Sequence, residues 1–501
     1  MSDRRLRVPA ADLATVVADL LAGGATYRML VGTDDRAVGG EGLAVEVALS
    51  THDGPLRVRA ELPHTDASYA ALTPLVPAAH WDEREAADLL GLRPVGHPDP
   101  RRLVLHETFP DGFHPLRKDV PAGERPPVAD GRWEAFTAHG EGIYQLPVGP
   151  IHAGVIEPGH FRFSAVGERV LHLDARLFFT HRGLEKLAEG RPFTEALPLV
   201  ERACGVCTVT HALAYSQAVE TLTGTEVPER ARWARVLLAE LERVYNHVGD
   251  LGNICAGMGF NPGSSRLGAL KERLLQVNDA LTGHRYLQAM IVPGGLRRDL
   301  AAGRVAALPV ELDAISQELA AAIRVVLRSD GAVSRLSRTG TVSQATVRML
   351  GGLGVTAKAV GIEADLRRDE PYAAYGELDV SVDTAHAGDV AARFHVRAQE
   401  AHDSLRLARE VASRLPGGAW LGPVGGAPEA GAVAMAGAEG PRGASWIWLR
   451  AGENGTVDRV RLRSASFADW PIVASAVPGD LVPDFPLINK SFELCYACTD
   501  R

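Results

Sequence analysis

Four of the five cysteines in the chain form two Cys-x-x-Cys pairs that lie almost 290 positions apart. The first pair is Cys204 and Cys207, the second is Cys495 and Cys498, and Cys255 stands alone. Two thiols three positions apart can bind one metal ion from a single turn of chain. Zinc ribbons space such pairs by about 15–20 residues, and a thioredoxin-type pair opens a helix inside a βαβ unit. Neither description fits this spacing.

The chemistry of the pairs depends on whether the fold brings them together. One pair alone is typical of half a structural zinc site or of a reactive dithiol. Four thiolates in one buried site suit zinc, iron or nickel. Arg202 and the start of a following helix favour ionised thiols at the first pair. The sequence therefore predicts a metal or redox site and leaves the metal open.

Composition excludes several classes of function. The 501 residues are 46% hydrophobic and 23% charged, as in a globular protein of about two to four domains. The formal charge of −9 gives no reason to expect a nucleic-acid partner. No stretch approaches about 18 uninterrupted apolar residues, and the N-terminus lacks a signal-peptide pattern. We therefore expect a cytoplasmic chain without its own membrane span.

The two parts of the chain differ in their predicted elements. Apolar and β-branched residues predict strands over 43–50 and 56–62 around an Asp-Gly turn, and 80–92 reads as a charged helix. This pattern predicts an α+β domain over residues 1–125. A stretch rich in proline and glycine then predicts a linker over 126–140.

Long helices dominate residues 141–501, the predicted second domain. Apolar residues recur at three- and four-residue steps over 228–255, and 388–415 is a second long helical pattern. Residues 446–451 and 456–464 predict an antiparallel hairpin. We therefore predict a multidomain α+β fold, with a mainly helical second domain that contains a small antiparallel β part.

Several segments of the chain resemble nickel–iron hydrogenase large subunits. Residues 202–211 match the family motif RxCGxCxxxH, and residues 495–501 resemble its terminal CxxCxxR/H motif. Residues 149–163 and 180–193 look like segments of the energy-converting (group 4) enzymes. Residues 439–443, Glu-Gly-Pro-Arg-Gly, resemble the family's APRG segment.

Two further segments resemble subunits of respiratory complex I. Residues 83–119 are similar to the signature of its 30-kDa subunit, and 388–400 resemble a helix shared by its 49-kDa subunit and these hydrogenases. The chain thus resembles a formate hydrogenlyase-type large subunit fused to a 30-kDa-like domain. The resemblance implies a second domain of hydrogenase and 49-kDa type.

The resemblance implies roles for individual residues. Cys204 and Cys495 would be terminal nickel ligands, and Cys207 and Cys498 would bridge nickel and iron, with diatomic ligands on the iron. Arg442 would hold a positive charge above the open coordination site or assist as a base there. The terminal motif departs from the family, which has Asp-Pro where this chain has Glu-Leu before the first cysteine.

Three more residues gain roles by the same resemblance. Glu157 would relay protons, His160 would belong to its network, and His211 would point towards an iron–sulfur cluster in a partner. The residues by themselves leave other interpretations open. Glu157 could cap a helix or loop, either histidine could be structural, and Arg442 could pair with Glu439.

The resemblance implies an oxidoreductase that interconverts H₂ with 2H⁺ and 2e⁻. Because this chain has no spare cysteines for an iron–sulfur cluster, electrons would leave through a small iron–sulfur subunit similar to the 20-kDa subunit of complex I. Antiporter-like membrane subunits would hold the complex at the inner face of the cell membrane. Two alternatives remain: a complex I-like subunit of NADH–quinone oxidoreductase type, concerned with quinone and NAD-linked electron transfer, and a zinc-stapled scaffold.

The remaining thiol and a group of charged residues are predicted to have structural or docking roles. Cys255 sits at core spacing in a helix and is predicted to be a small buried hydrophobe. The Glu-Arg-Glu run at 83–85, with Glu83 and Glu85, belongs to a charged group predicted to be a docking surface. The basic members of that group are Arg101, Arg102, Arg117 and Lys118.

Overall fold

The computed structural model describes residues 4–152 and 156–501. Its strands are β1 (Arg4–Arg7), β2 (Thr26–Asp34), β3 (Leu43–Thr51), β4 (Gly54–Leu62), β5 (Ser68–Ala70), β6 (Arg93–Val95), β7 (Tyr144–Val148), β8 (His160–Val166), β9 (Arg169–Arg176), β10 (Ile291–Val292), β11 (Gly295–Leu296), β12 (Val433–Gly440), β13 (Gly443–Ala451) and β14 (Val457–Arg463). Its helices are α1 (Leu13–Ala22), α2 (His80–Leu90), α3 (Leu184–Ala188), α4 (Phe193–Glu201), α5 (Thr208–Thr223), α6 (Glu229–Gly257), α7 (Asn261–Thr282), α8 (Ala302–Leu327), α9 (Asp330–Leu336), α10 (Gln344–Met349), α11 (Gly354–Lys358), α12 (Leu366–Asp369), α13 (Val390–Arg414), α14 (Ala465–Ala476), α15 (Phe485–Phe492) and α16 (Tyr496–Asp500).

The first part of the chain is a four-stranded sheet in the order β1-β4-β3-β2. Strands β3 and β4 form the predicted hairpin, in register from Leu43 opposite Leu62 to Thr51 opposite Gly54. Strand β1 adds to β4 in parallel. The helix predicted over 80–92 is confirmed as α2, which packs against β2.

The core beneath this sheet continues into the second part of the chain. Val47 and Val58 of the sheet share one apolar cluster with Phe161 of β8, Trp470 of α14 and Tyr496 of α16. Residues 126–140, the predicted linker, contain neither helix nor strand. The boundaries at 125 and 141 remain a prediction, and residues 1–3 of the predicted first domain lie outside the described residues.

Two long helices form the centre of the second part. Helix α6 covers the predicted helix over 228–255, α13 covers the one over 388–415, and the two helices pack against each other. The apolar side chains that recur along α6 are buried, including Leu237, Leu241 and Val244. The mainly helical second part and the multidomain α+β class are thus confirmed.

Helix α6 also buries charged side chains. Glu240 and Arg243 pair with residues from neighbouring elements: Glu240 accepts from Arg367 at 3.0 Å, and Arg243 reaches Glu400 of α13 at 2.9 Å. Lys358 links Glu400 to Asp365 at 2.6 Å each. Buried charges survive only when paired, so this network fixes how α6, α13 and α11 meet.

The predicted hairpin over 446–464 is confirmed as β13 and β14, with Trp446 opposite Arg463. A third strand, β12, precedes it and was not predicted, because its sequence is rich in alanine and glycine and carries little strand signal. Strands β12 and β13 are joined by a tight turn at Pro441 and Arg442. Gly443 follows at φ 125°, where an added Cβ would lie 2.8 Å from the amide nitrogen of Gly354.

Helix α6 should carry a large share of the stability. Leu237 is fully buried in α6, so Leu237→Ala should lower the free energy of unfolding by about 2–5 kcal/mol. Val310 on α8 is 76% exposed, and Val310→Ala should change it by less than about 0.5 kcal/mol. Urea denaturation followed by circular dichroism measures both midpoints. Equal midpoints for the two variants would contradict this picture of the core.

Candidate metal centre

The two cysteine pairs meet in one buried site. Cys204 and Cys207 lie in the turn between α4 and α5, and Cys495 and Cys498 lie at the start of α16. The sulfur atoms of Cys204, Cys207 and Cys498 lie within 4.8 Å of one another. Cys495 Sγ is 3.2 Å from Cys204 Sγ, and none of the four forms a disulfide. The fold therefore brings together the two pairs that the sequence separates.

Backbone amides support the sulfur atoms. The Val206 amide donates to Cys204 Sγ at 3.3 Å, and the Cys498 amide donates to Cys495 Sγ at 3.2 Å. Cys207 is the N-cap residue of α5, where the helix dipole favours negative charge. Free, soft donors that converge in a largely buried cluster fit a soft or borderline metal.

The cluster shares its negative charge unequally. Hydrogen bonds from the other thiols, that of Cys207 first, hold the pKa of Cys204 well below its usual value. The interaction with Cys204 raises the pKa of Cys207 and of Cys495, and burial raises that of Cys498. Without a metal the site stabilises one thiolate, and a bound cation would provide the charge that ionises the other thiols.

The side chain of Arg182 ties the two cysteine segments together. Its Nη2 donates to the carbonyl of Ala203 at 2.7 Å and to that of Ala497 at 3.1 Å, so one guanidinium spans both segments. The Ser466 hydroxyl accepts from the Cys495 amide at 3.0 Å. Sequence reasoning missed Arg182, although it lies in the segment 180–193 that carries the family resemblance.

Arg442 projects from the β12–β13 turn towards the thiols. Its Nη1 lies 3.9 Å from Cys207 Sγ and 3.0 Å from Asn246 Oδ1, and its Nη2 lies 3.3 Å from Asp250 Oδ1. Burial alone would lower the pKa of Arg442, but the charges of Asp250 and Cys207 raise it well above its usual value. The guanidinium therefore stays protonated.

The described contacts of Arg442 do not include Glu439, the partner that the sequence left open. The Glu439 carboxylate accepts from the Leu366 amide at 3.1 Å, whereas the described contacts of Arg442 are with Asp250, Asn246, Cys207 and the Glu493 carbonyl. Asn246 and Asp250 were not predicted as site residues, because they lie within the long amphipathic pattern of α6. Their signal was two buried polar residues four positions apart on one face.

Glu157 lies beside the second cysteine pair. Its Oε2 accepts from the Ala497 amide at 2.9 Å, and part of the side chain remains exposed. Partial desolvation, together with the nearby charge of Cys204, raises the pKa of Glu157. The preceding residues 153–155 of the segment 149–163 lie outside the described residues.

The two predicted histidines occupy different places. His211, in α5, is buried with Nε2 3.9 Å from Cys498 Sγ, and burial lowers its pKa to about 4. His160 instead contacts the Gly149 carbonyl at 3.1 Å and packs edge-on against Trp133. The structure thus brings His211 to the thiols, and the described contacts of His160 include none of them.

The prediction for Cys255 is confirmed, whereas the predicted docking surface is wrong in part. Cys255 is fully buried in the apolar core, as predicted, and burial raises its pKa to about 12. The docking surface is wrong for Glu83 and Glu85, which are buried inside the chain. Alternating charges on a short helix look the same in sequence whether they face solvent or buried arginines.

Comparison with known proteins identifies the family. "Respiratory-chain NADH dehydrogenase, 30 Kd subunit" matches residues 6–126, "Nickel-dependent hydrogenase" matches 182–251, and "Respiratory-chain NADH dehydrogenase, 49 Kd subunit" matches 266–428. The chain is 36% identical to formate hydrogenlyase subunit 5 of Escherichia coli (strain K12), over 95% of this chain and 85% of that protein. The chain belongs to the nickel–iron hydrogenase large-subunit family.

A second hydrogenase subunit and one solved structure are also similar to this chain. Hydrogenase-4 component G of the same organism is 35% identical, over 94% of this chain and 83% of that protein. A chain in the structure of a membrane-bound sulfane sulfur reductase, an archaeal respiratory membrane complex, superposes with a TM-score of 0.68 at 27% identity, covering 72% of this chain and 99% of that one. The predicted family, fold class and oxidoreductase class are confirmed.

Removing one thiol should empty the site. Cys495→Ser replaces a soft donor by a hard hydroxyl, so nickel retention and hydrogen turnover should both fall below detection. Cys255→Ala is the matched control, because Cys255 lies in the core away from the cluster. Nickel per chain is measured by elemental analysis after dialysis. A Cys495→Ser protein with full nickel and full turnover would contradict the ligand assignment.

Proposed function

We propose that this chain is the catalytic large subunit of a membrane-associated, formate hydrogenlyase-like nickel–iron hydrogenase, which interconverts H₂ with 2H⁺ and 2e⁻. The observation that carries the proposal is the convergence of Cys204, Cys207, Cys495 and Cys498 in one largely buried cluster. Membership of the hydrogenase family supports the choice of metals.

The four thiols would hold the nickel and iron. Following the family pattern, Cys204 and Cys495 would be ligands of nickel, and Cys207 and Cys498 would be ligands of both nickel and iron. When bound, such a centre supplies an open coordination site at which dihydrogen can be split heterolytically. A narrow cavity, lined also by Pro441 of the β12–β13 turn, lies beside Cys207 and Cys498, two of the thiols that would hold the metals.

Arg442 is proposed to act by its charge. Because Asp250 and Asn246 hold the guanidinium and its pKa is raised, Arg442 keeps a fixed positive charge beside the thiols. Preorganised charge of this kind stabilises charge that develops during bond cleavage. A group that stays protonated is a poor base, so we assign the role of base to a cysteine thiolate.

Glu157 is proposed to pass protons between the thiols and the protein surface. It contacts the backbone between Cys495 and Cys498, keeps an exposed face, and has a raised pKa that suits proton exchange nearer neutral pH. His160 is proposed to extend this network on the family resemblance, and its buried Nε2 has no hydrogen-bond partner among the described residues. His211 is proposed to donate a hydrogen bond towards the nearest iron–sulfur cluster of the partner subunit.

The electrons are proposed to leave through a small iron–sulfur subunit, because the four paired cysteines are already assigned to the metals. Exposed apolar side chains flank the site in sequence at Ile151, Ile156 and Phe179, which suits a protein–protein contact. Among the described residues, no helix is long and apolar enough to cross a membrane. Attachment to antiporter-like membrane subunits at the inner face of the cell membrane is part of the proposal, and it is supported by the similarity to a chain of a respiratory membrane complex.

The metal content of the protein tests the proposed function. Protein purified from its native host should contain about one nickel and one iron per chain and should turn over hydrogen. Zinc alone would support the zinc-stapled scaffold instead. Protein without metal or hydrogen turnover would support the quinone-linked, complex I-like subunit.

The role of Glu157 has its own test. Glu157→Gln removes the ionisable proton and keeps the shape, so metal content should be unchanged while hydrogen–deuterium exchange slows by about 10²–10⁴-fold. Glu141→Gln, at an exposed position without a place in the site, should leave the exchange rate unchanged. Exchange at the normal rate in Glu157→Gln would show that protons take another route.

A further inference from the structure

A buried ion pair connects the first part of the chain to the segment that carries the second cysteine pair. Arg501 follows α16, and its Nη1 lies 3.3 Å from Oε1 of Glu85 in α2, while its Nη2 contacts Oε2 of the same carboxylate. A second carboxylate, Glu185 of α3, lies 3.0 Å from Arg501 Nη1. Both Glu85 and Arg501 are almost completely buried.

Helix α16, which carries Cys498 and has Cys495 as its N-cap residue, needs contacts with the rest of the chain to hold its position. Helix α16 has five residues, and an isolated helix of that length is not stable in water. Cys498 and Arg501 lie three positions apart, so they occupy the same turn of chain. Whatever holds the Arg501 side chain therefore limits how far Cys498 can move.

The surroundings make Glu85 dependent on arginine partners. Arg461 of β14 lies 3.2 Å from Glu85 Oε1, and the Phe467 ring lies against the guanidinium groups of both Arg461 and Arg501. Burial raises the pKa of Glu85 to about 8, against the opposing effect of Arg461. The contacts with Arg461 and Arg501 therefore supply the hydrogen bonds and positive charge that a carboxyl group needs when it is buried this deeply.

We propose that Glu85 is a positioning residue for the metal site: through Arg501, the first part of the chain fixes α16 and so sets the places of Cys495 and Cys498. The inference rests on the proposed metal site, and it gives the 30-kDa-like part a task in forming that site. Glu85, one of the charged residues at 83–85, thus contacts the chain's own thiol-bearing segment.

The same helix supplies a matched control. Asp82 of α2 is also buried and also pairs with arginines of β14, Arg461 and Arg463, at 3.0 Å each. No described contact joins Asp82 to Arg501. Asp82→Asn therefore weakens the same contact between α2 and β14 without touching the anchor of α16.

The test compares Glu85→Gln, Arg501→Met, their double variant and Asp82→Asn in the full chain. Metal-free protein is treated with iodoacetamide, and the modification rates of Cys498 and Cys204 are measured by mass spectrometry in the same sample. We expect the rate ratio of Cys498 to Cys204 to rise at least 10-fold in Glu85→Gln and in Arg501→Met. The double variant should exceed neither single variant by more than 2-fold, and Asp82→Asn should stay within 2-fold of the wild type.

Nickel per chain, measured after dialysis of protein from the native host, should fall below half of the wild-type value in Glu85→Gln. An unchanged rate ratio in folded Glu85→Gln, or an equal rise in Asp82→Asn, would overturn the proposal. If Glu85→Gln fails to fold, Arg501→Met gives the same test while leaving α2 intact. Wild-type protein that binds no nickel would refute the proposed function, but the rate ratio would still test the anchor.

Discussion

Four thiols crowded into one buried site set the main constraint on this molecule. Sulfur atoms as close as 3.2 Å, from segments almost 290 positions apart, cannot all be ionised without nearby positive charge. Arg442 supplies one such charge at 3.9 Å from Cys207, and its own position depends on Asp250 and Asn246 in α6. The interior of the helical part is therefore organised around charge rather than around apolar packing alone.

The ion pairs extend from the site through the protein. Asp250 accepts from both Arg442 and Arg397, and Arg397 also donates to the carbonyl of Phe492, shortly before Cys495. The free energy of desolvating buried ions offsets much of their Coulombic attraction. Such pairs therefore contribute more to selecting one packing of the helices than to the free energy of unfolding. They fix the positions of α6, α13 and the thiol-bearing segments relative to one another.

The sequence predicted those features that have a local signal. The hairpin at 43–62 was visible from alternation and its turn, and α6 from its apolar period. Strand β12 was not, because alanine and glycine do not distinguish a strand from a loop. The four thiols could be found as motifs, yet their meeting came only from family resemblance, since spacing says nothing about contacts over hundreds of residues. Asp250, Arg182 and the burial of Glu85 needed three-dimensional neighbours to be recognised.

The link made by Arg182 has a geometric consequence. A guanidinium is a flat, rigid fork, and here one nitrogen donates to carbonyls on both cysteine segments, those of Ala203 and Ala497. The distance between the two cysteine segments therefore depends on a rigid side chain that contacts both of them, and not only on the conformation of the two loops. A bound ion that needed a wider gap between the two cysteine segments would have to stretch these two hydrogen bonds, so the side chain of Arg182 would disfavour ions of larger radius.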